Sequence, residues 1–145
     1  MRRLARSVVL AAVALMLAAV SPRADDGRRA WLGVFINDLT KDTLFSLGAA
    51  DGGVYVMEVT RPSPASLSGL QPGDVIVGVD GRATGNVTEL VCLIQARTPG
   101  AVVLVNIVRS GKLIAVTAQL ARWPETIEPP PFVRDCKDDR VARAG

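Results

Sequence analysis

Gln71-Pro72-Gly73-Asp74-Val75-Ile76-Val77-Gly78-Val79-Asp80-Gly81 is the stretch that decides the fold. Its first four residues make a tight turn, because proline presets φ and glycine takes a positive φ at little cost. Val75 to Val79 then read as a strand. Asp80-Gly81 closes it with the dipeptide favoured in hairpin reversals. A turn, a strand and a second turn within so short a span imply small, turn-rich β structure, which the 13 Gly and 9 Pro of the whole chain also suit.

Upstream, Pro64 to Leu70 fits one or two helical turns, with Pro near the start and Gly near the end. Before it, Asp51-Gly52-Gly53 introduces a strand, Val54 to Thr60, that Arg61-Pro62-Ser63-Pro64 ends, since proline cannot donate to a ladder. Asp42 to Leu47 is expected to be a loop or short helical turn, and Trp31 to Ile36 a strand bounded by Asn37-Asp38. Downstream, Thr88 to Ala96 carries apolar residues at 90, 91, 93 and 94, which predicts an amphipathic helix capped by Thr88 and stopped by Thr98-Pro99-Gly100. Val102 to Arg109 and Leu113 to Leu120 are two further strands around a Ser110-Gly111 hairpin loop. The order is strand, strand, short helix, strand, helix, strand, strand.

The two ends differ from this middle. Arg2, Arg3 and Arg6 precede the uninterrupted apolar run Val8 to Val20, and Ser21-Pro22-Arg23 breaks it. That is the outline of a secretory signal over residues 1–24. Thirteen residues reach only about 20 Å, short of the ~30 Å hydrocarbon core, which disfavours a permanent span. Cleavage after Ser21 or after Ala24 both stay open, as does an uncleaved leader, the one route by which the chain would meet a membrane. Without those 24 residues the formal charge changes from +3 to −1, 13 basic against 14 acidic, so no basic surface for nucleic acid is expected. Beyond Trp123, residues 124–145 hold three consecutive prolines and a charged run, and an extended or disordered tail is expected. Cys92 falls in the expected helix, where it reads as a small buried hydrophobe, and Cys136 in the tail reads as an exposed thiol. An internal bridge between them is the less favoured alternative.

Taken in order, Trp31-Leu32-Gly33-Val34, Asn37-Asp38-Leu39-Thr40, Gly53-Val54-Tyr55-Val56, Ser63-Pro64-Ala65, Gly69-Leu70, Gln71 to Ile76, Val79-Asp80-Gly81, Pro99-Gly100 and Val108 to Lys112 resemble a bacterial PDZ domain. The kind resembled is that attached to periplasmic serine proteases of the high-temperature-requirement family. The resemblance covers about 90 residues and implies an α+β fold over residues 28–123: a small, partly open antiparallel β-barrel or sandwich of five to six strands with two helices. It also implies a groove in which a peptide adds as an extra strand, with backbone N–H groups of a preceding loop holding the peptide's terminal carboxylate.

By that resemblance the loop is Trp31, Leu32, Gly33 and Val34, and the groove continues through Phe35 and Ile36. Strand alternation puts Leu32, Val34 and Ile36 on one face and Phe35 on the other. Leu90 and Ile94, four apart, are candidates for the helical wall, with Val91 secondary; core packing is the alternative for the first two. Arg28 and Arg29 could lend positive charge to a bound carboxylate. Gly33→Asp is expected to abolish peptide binding while leaving the fold largely intact.

Catalysis is not expected. The proteases resembled use a histidine to take the proton of a serine, and this chain has no histidine. Two distant cysteines make no zinc site, and no cofactor is implied. The function expected is an exported binder of protein C-termini or extended peptides with apolar last residues, acting as an adaptor with a separate periplasmic protease as a candidate partner. The alternative is a structural or assembly component of an envelope or secretion complex whose groove is occluded.

Overall fold

The computed structural model describes residues 29–128 and Cys136; the leader, Arg28 and the rest of the tail lie outside them. Three helices and eight strands follow in the order β1 (Ala30–Trp31), β2 (Val34–Asp38), α1 (Lys41–Ser46), β3 (Val54–Val59), α2 (Pro64–Ser68), β4 (Val75–Val79), β5 (Arg82–Ala83), α3 (Val87–Gln95), β6 (Val102–Arg109), β7 (Lys112–Gln119) and β8 (Ala121–Arg122). Six strands form one open antiparallel sheet in the order β2-β3-β4-β6-β7, with β5 paired to β4, while β1 and β8 make a separate two-stranded ladder.

The hairpins form where the turn residues demand them. Asp80 and Gly81 have φ of 50° and 79°, and Ser110 and Gly111 of 52° and 75°. Two successive positive φ values twist the chain in the sense that matches the flanking strands. Across the Ser110-Gly111 turn β6 and β7 pair in unbroken register from Val102↔Gln119 to Arg109↔Lys112. The Pro72-Gly73-Asp74 turn is held differently. Asp74, 1% exposed, accepts from the Gln71 N–H and from both Nε and a terminal nitrogen of Arg109, each at 2.8 Å. Its carboxylate raises the Arg109 guanidinium pKa above the ordinary value, first through hydrogen bonding. A buried carboxylate without such partners would be strongly unfavourable.

Four expectations change. The run expected as one strand from Trp31 is broken at Leu32-Gly33, because Gly33 has φ +88° and cannot continue a pleated strand. Residues 41–46 take the helical one of the two forms expected there, a six-residue helix with Leu44 buried and capped by Thr40, so the described residues hold three helices where two were expected. The cap of α3 is Asn86, whose side chain accepts from Glu89 N, and Thr88 lies inside the helix. Cys92 and Cys136 are disulfide-bonded, with Cα atoms 5.1 Å apart, so neither is a free thiol.

The main core lies between the sheet and α3. Leu90 and Ile94 from the helix meet Val54, Val56, Ile76, Val79, Val103, Val105 and Ile107 from the strands. A smaller cluster of Leu44, Ala49, Val75 and Val108 sits on the other side of the sheet, under α1. Among the described residues no helix is long and apolar enough to cross a membrane.

Candidate functional site

The sheet ends on one side at β2, which pairs with β3 alone among the described strands. Its outer edge therefore keeps backbone groups that a further strand could use. The register with β3 slips at Met57, so that Phe35 faces Glu58 and Ile36 faces Val56. A bulge of this kind increases local twist. The loop just before β2 turns its carbonyls into the body: Leu32 O accepts from Ala65 N at 2.8 Å and Gly33 O from Thr60 N at 2.9 Å. The N–H groups of Leu32 and Gly33 donate to no backbone carbonyl among the described residues. Two adjacent N–H groups at a glycine turn, without a backbone acceptor among the described residues, are able to hold an anion.

Across from β2 stands α3, tied to the strand side at each end. Asp38 Oδ1, at the end of β2, accepts from Val87 N at 2.7 Å, and Gln95 Nε2, in the last turn of the helix, donates to Ala30 O at 2.8 Å. Between these ties lies a groove with a small cavity of about 100 Å³, lined by Ala30, Trp31, Leu32, Gly33, Val34, Ile36, Leu90, Val91, Ile94, Gln95 and Trp123. That volume is well below the ~300 Å³ of a pocket for a drug-sized ligand, so the enclosed part suits a single side chain.

Eight of the residues expected from the sequence thus meet around one cavity: Trp31, Leu32, Gly33, Val34, Ile36, Leu90, Val91 and Ile94. Leu90 and Ile94, 1% and 6% exposed, are core residues, the alternative weighed for them, and they also border this cavity. Phe35 does not join them; it is 55% exposed on the other face of β2. Arg29 is outside the lining, and its carbonyl accepts from Trp123 N. Asp38, Gln95 and Trp123 carry the geometry of the site without having been singled out. Asp38 stands in a dipeptide that reads as a strand terminator, and the other two act through partners more than sixty residues away in sequence.

Gly33 is held more tightly than a loop residue need be. A Cβ built on it would lie 2.3 Å from Ser63 Cβ, and its φ of +88° is strained for any other residue. Gly33→Asp would therefore disturb the packing of α2 on the loop as well as any ligand, and it is not the fold-neutral substitution the sequence suggested.

A larger cavity, about 850 Å³, opens on the opposite flank of α3, where Cys92 and Cys136 stand beside Glu89, Leu93, Thr84 and Gly52. It touches neither β2 nor the Leu32-Gly33 loop. Among the described residues no group of three or more Cys, Asp or Glu side chains stands close enough to hold a metal ion.

A family model described as the PDZ domain matches residues 30–120. The chain belongs to the PDZ domain family. Two curated relatives carry the same description, a probable periplasmic serine endoprotease that is DegP-like. The one from Hahella chejuensis is 37% identical over 98 residues, 67% of this chain and 21% of its own length. The one from Rhizobium meliloti is 33% identical over 113 residues, 77% of this chain and 22% of its own. The chain thus spans about a fifth of the curated relatives it matches. Among solved structures, the HtrA-type protease AlgW with a decapeptide superposes on 71% of this chain and 31% of its own with a TM-score of 0.60 and 32% identity. The PDZ domain of HtrA3 bound to a phage-derived ligand covers 66% of this chain and 88% of its own, with a TM-score of 0.56 at 24% identity. The α+β sheet with flanking helices is therefore that of an HtrA-type PDZ domain.

Proposed function

We propose that this PDZ domain binds the C-termini or extended segments of other proteins by adding them as a strand to β2, without catalysing their cleavage. The observation that carries the reading is the continuity of three features: a free strand edge, an apolar groove, and a loop whose Leu32 and Gly33 N–H groups have no backbone acceptor among the described residues. The edge supplies general affinity, the groove selects a side chain, and the loop holds a terminal carboxylate. The decapeptide in the AlgW structure supports the same use.

The site is apolar, so last residues with apolar side chains are the favoured ligands. Within the 145 residues there is no histidine to activate a serine, and the part played is that of an adaptor presenting bound chains to a separate protease. The leader composition and the periplasmic relatives support export to the bacterial envelope. The assembly reading, with an occluded groove, predicts no ligand at all.

A C-terminal peptide library separates the two. The oxidised protein is expected to select peptides with apolar last residues at about micromolar affinity, near −8 kcal/mol. Val91→Asp places a carboxylate on the groove wall beside the incoming one and should weaken binding by about thirtyfold, or ~2 kcal/mol. Thr117→Asp on the opposite sheet edge should leave it unchanged. Equal affinity for the unsubstituted and Val91→Asp proteins would sink the proposal.

A further inference from the structure

The groove has a wall that the family segment does not supply. Trp123 stands three residues beyond the matched residues 30–120, after β8, and lines the groove cavity with Leu32, Val91 and Ile94. Two hydrogen bonds hold it there. Its N–H donates to Arg29 O at 2.7 Å, extending the β1–β8 ladder by one rung, and its indole Nε1 donates to Ile127 O at 2.6 Å. With main chain and ring both fixed, the indole is a rigid surface presented at low entropic cost.

Its place along the groove follows from the register. Ala30 pairs with Arg122 and Trp31 with Ala121, so Trp123 lies beside Arg29, on the approach to the Leu32-Gly33 loop. Gln95, which also bonds Ala30 O, marks that same end, while Ile36 and Asp38 mark the other. In a strand-addition complex the terminal carboxylate sits at the loop, and the last side chain enters the cavity next to it. The cavity is only about 100 Å³ with the indole in place.

We propose that Trp123 is a specificity-determining residue, closing the loop end of the groove so that it accepts chains ending in an aliphatic residue over chains ending in an aromatic one. This rests on the peptide-binding reading of the groove. A rigid wall discriminates by size because an oversized side chain must displace packed atoms or remain outside, and differences of a few carbon atoms in an apolar pocket are worth about tenfold or more.

The test uses two fluorescent decapeptides that differ only in a last residue of Val or Phe, titrated against the oxidised protein and against Trp123→Ala. The unsubstituted protein is expected to prefer the Val peptide by about tenfold, and Trp123→Ala to reduce that ratio at least fivefold by gaining affinity for the Phe peptide. A purely structural role would weaken both peptides alike and leave the ratio standing, which overturns the proposal. Trp123→Leu, which keeps an apolar side chain of intermediate size, should give an intermediate ratio and carries the test if the alanine variant does not fold. A preference for Phe in the unsubstituted protein also overturns it, while the groove reading survives. Binding of neither peptide by the unsubstituted protein removes the groove reading first and this assignment with it.

Discussion

β2 and β7 both end the six-stranded sheet, yet β2 is five residues long and bulged, while β7 runs for eight residues in unbroken register with β6. By hydrogen-bonding capacity alone the longer edge is the better template for a further strand. Its surroundings argue the other way. Beside β7 stands α2, and the cleft they share, about 470 Å³, is lined by Trp31, Pro62, Pro64 and Leu67 against Thr117 to Ala121, and neither Leu32 nor Gly33 reaches it. Beside β2 stands α3, whose face carries Leu90, Val91 and Ile94, and the chain enters the strand through the Leu32-Gly33 turn. On the proposed reading, an edge serves as a site when a wall and an anchoring turn accompany it, and length is secondary.

The widest disruption of this contrast should come from the Asp74 carboxylate, which holds the turn between α2 and β4 and ties it to Arg109 at the end of β6. Asp74→Ala removes three charge-assisted hydrogen bonds and leaves Arg109 with Gly69 O and solvent, and should cost about 3–5 kcal/mol in denaturant unfolding. Protection from amide exchange should fall at β2 and β7 together. A fall at one edge only would mean that the turn does not support both ends of the sheet.

Next in size is the Cys92–Cys136 bridge, which closes a loop of 44 residues in separation. Restricting the unfolded chain over such a loop is worth up to about 4 kcal/mol, and replacing both cysteines by serine should lower stability by about 2–4 kcal/mol. Because the bridge is attached to α3 and not to β7, slow-exchanging amides of α3 should lose more protection than those of β6 and β7 in the native state. Equal losses would mean that it acts on the unfolded chain alone.

Smallest is the tie between the two groove walls. Asp38→Ala removes the hydrogen bond to Val87 N at the start of α3 and should cost about 1 kcal/mol of stability. Peptide affinity should drop a few fold with it, read by titration, and Asp38→Asn, which keeps an acceptor, should restore most of both.

Much of this was open to reading from residues. Val75 to Val79 and Val102 to Arg109 have the extents expected, because Asp80-Gly81 and Ser110-Gly111 are local turns whose chemistry does not depend on the rest of the chain. That Val34 and Ile36 of β2 and Leu90 and Ile94 of α3 border one cavity agrees with strand alternation and helical spacing. Phe35 shows the limit of naming a continuous run, since consecutive strand residues face opposite ways. What stayed hidden depends on distant partners. β8 is two residues long and forms only because β1 is there to receive it, and Trp123 meets Arg29 across nearly the whole domain. Cys136 sits in a polar segment with no periodicity, so nothing local pointed to Cys92. The strain and crowding at Gly33 also belong to tertiary contact, through Ser63.

The disulfide also decides how the molecule would answer a mechanical load. A pull on the residues after Cys136 would, without the bridge, run back along the chain to β8, a strand of two residues, and peel it from β1. With the bridge in place the force enters at Cys92, in the middle of a helix anchored by Leu90 and Ile94. β8 and Trp123 are then shielded from tension, and the end of the groove keeps its shape while the tail is under strain.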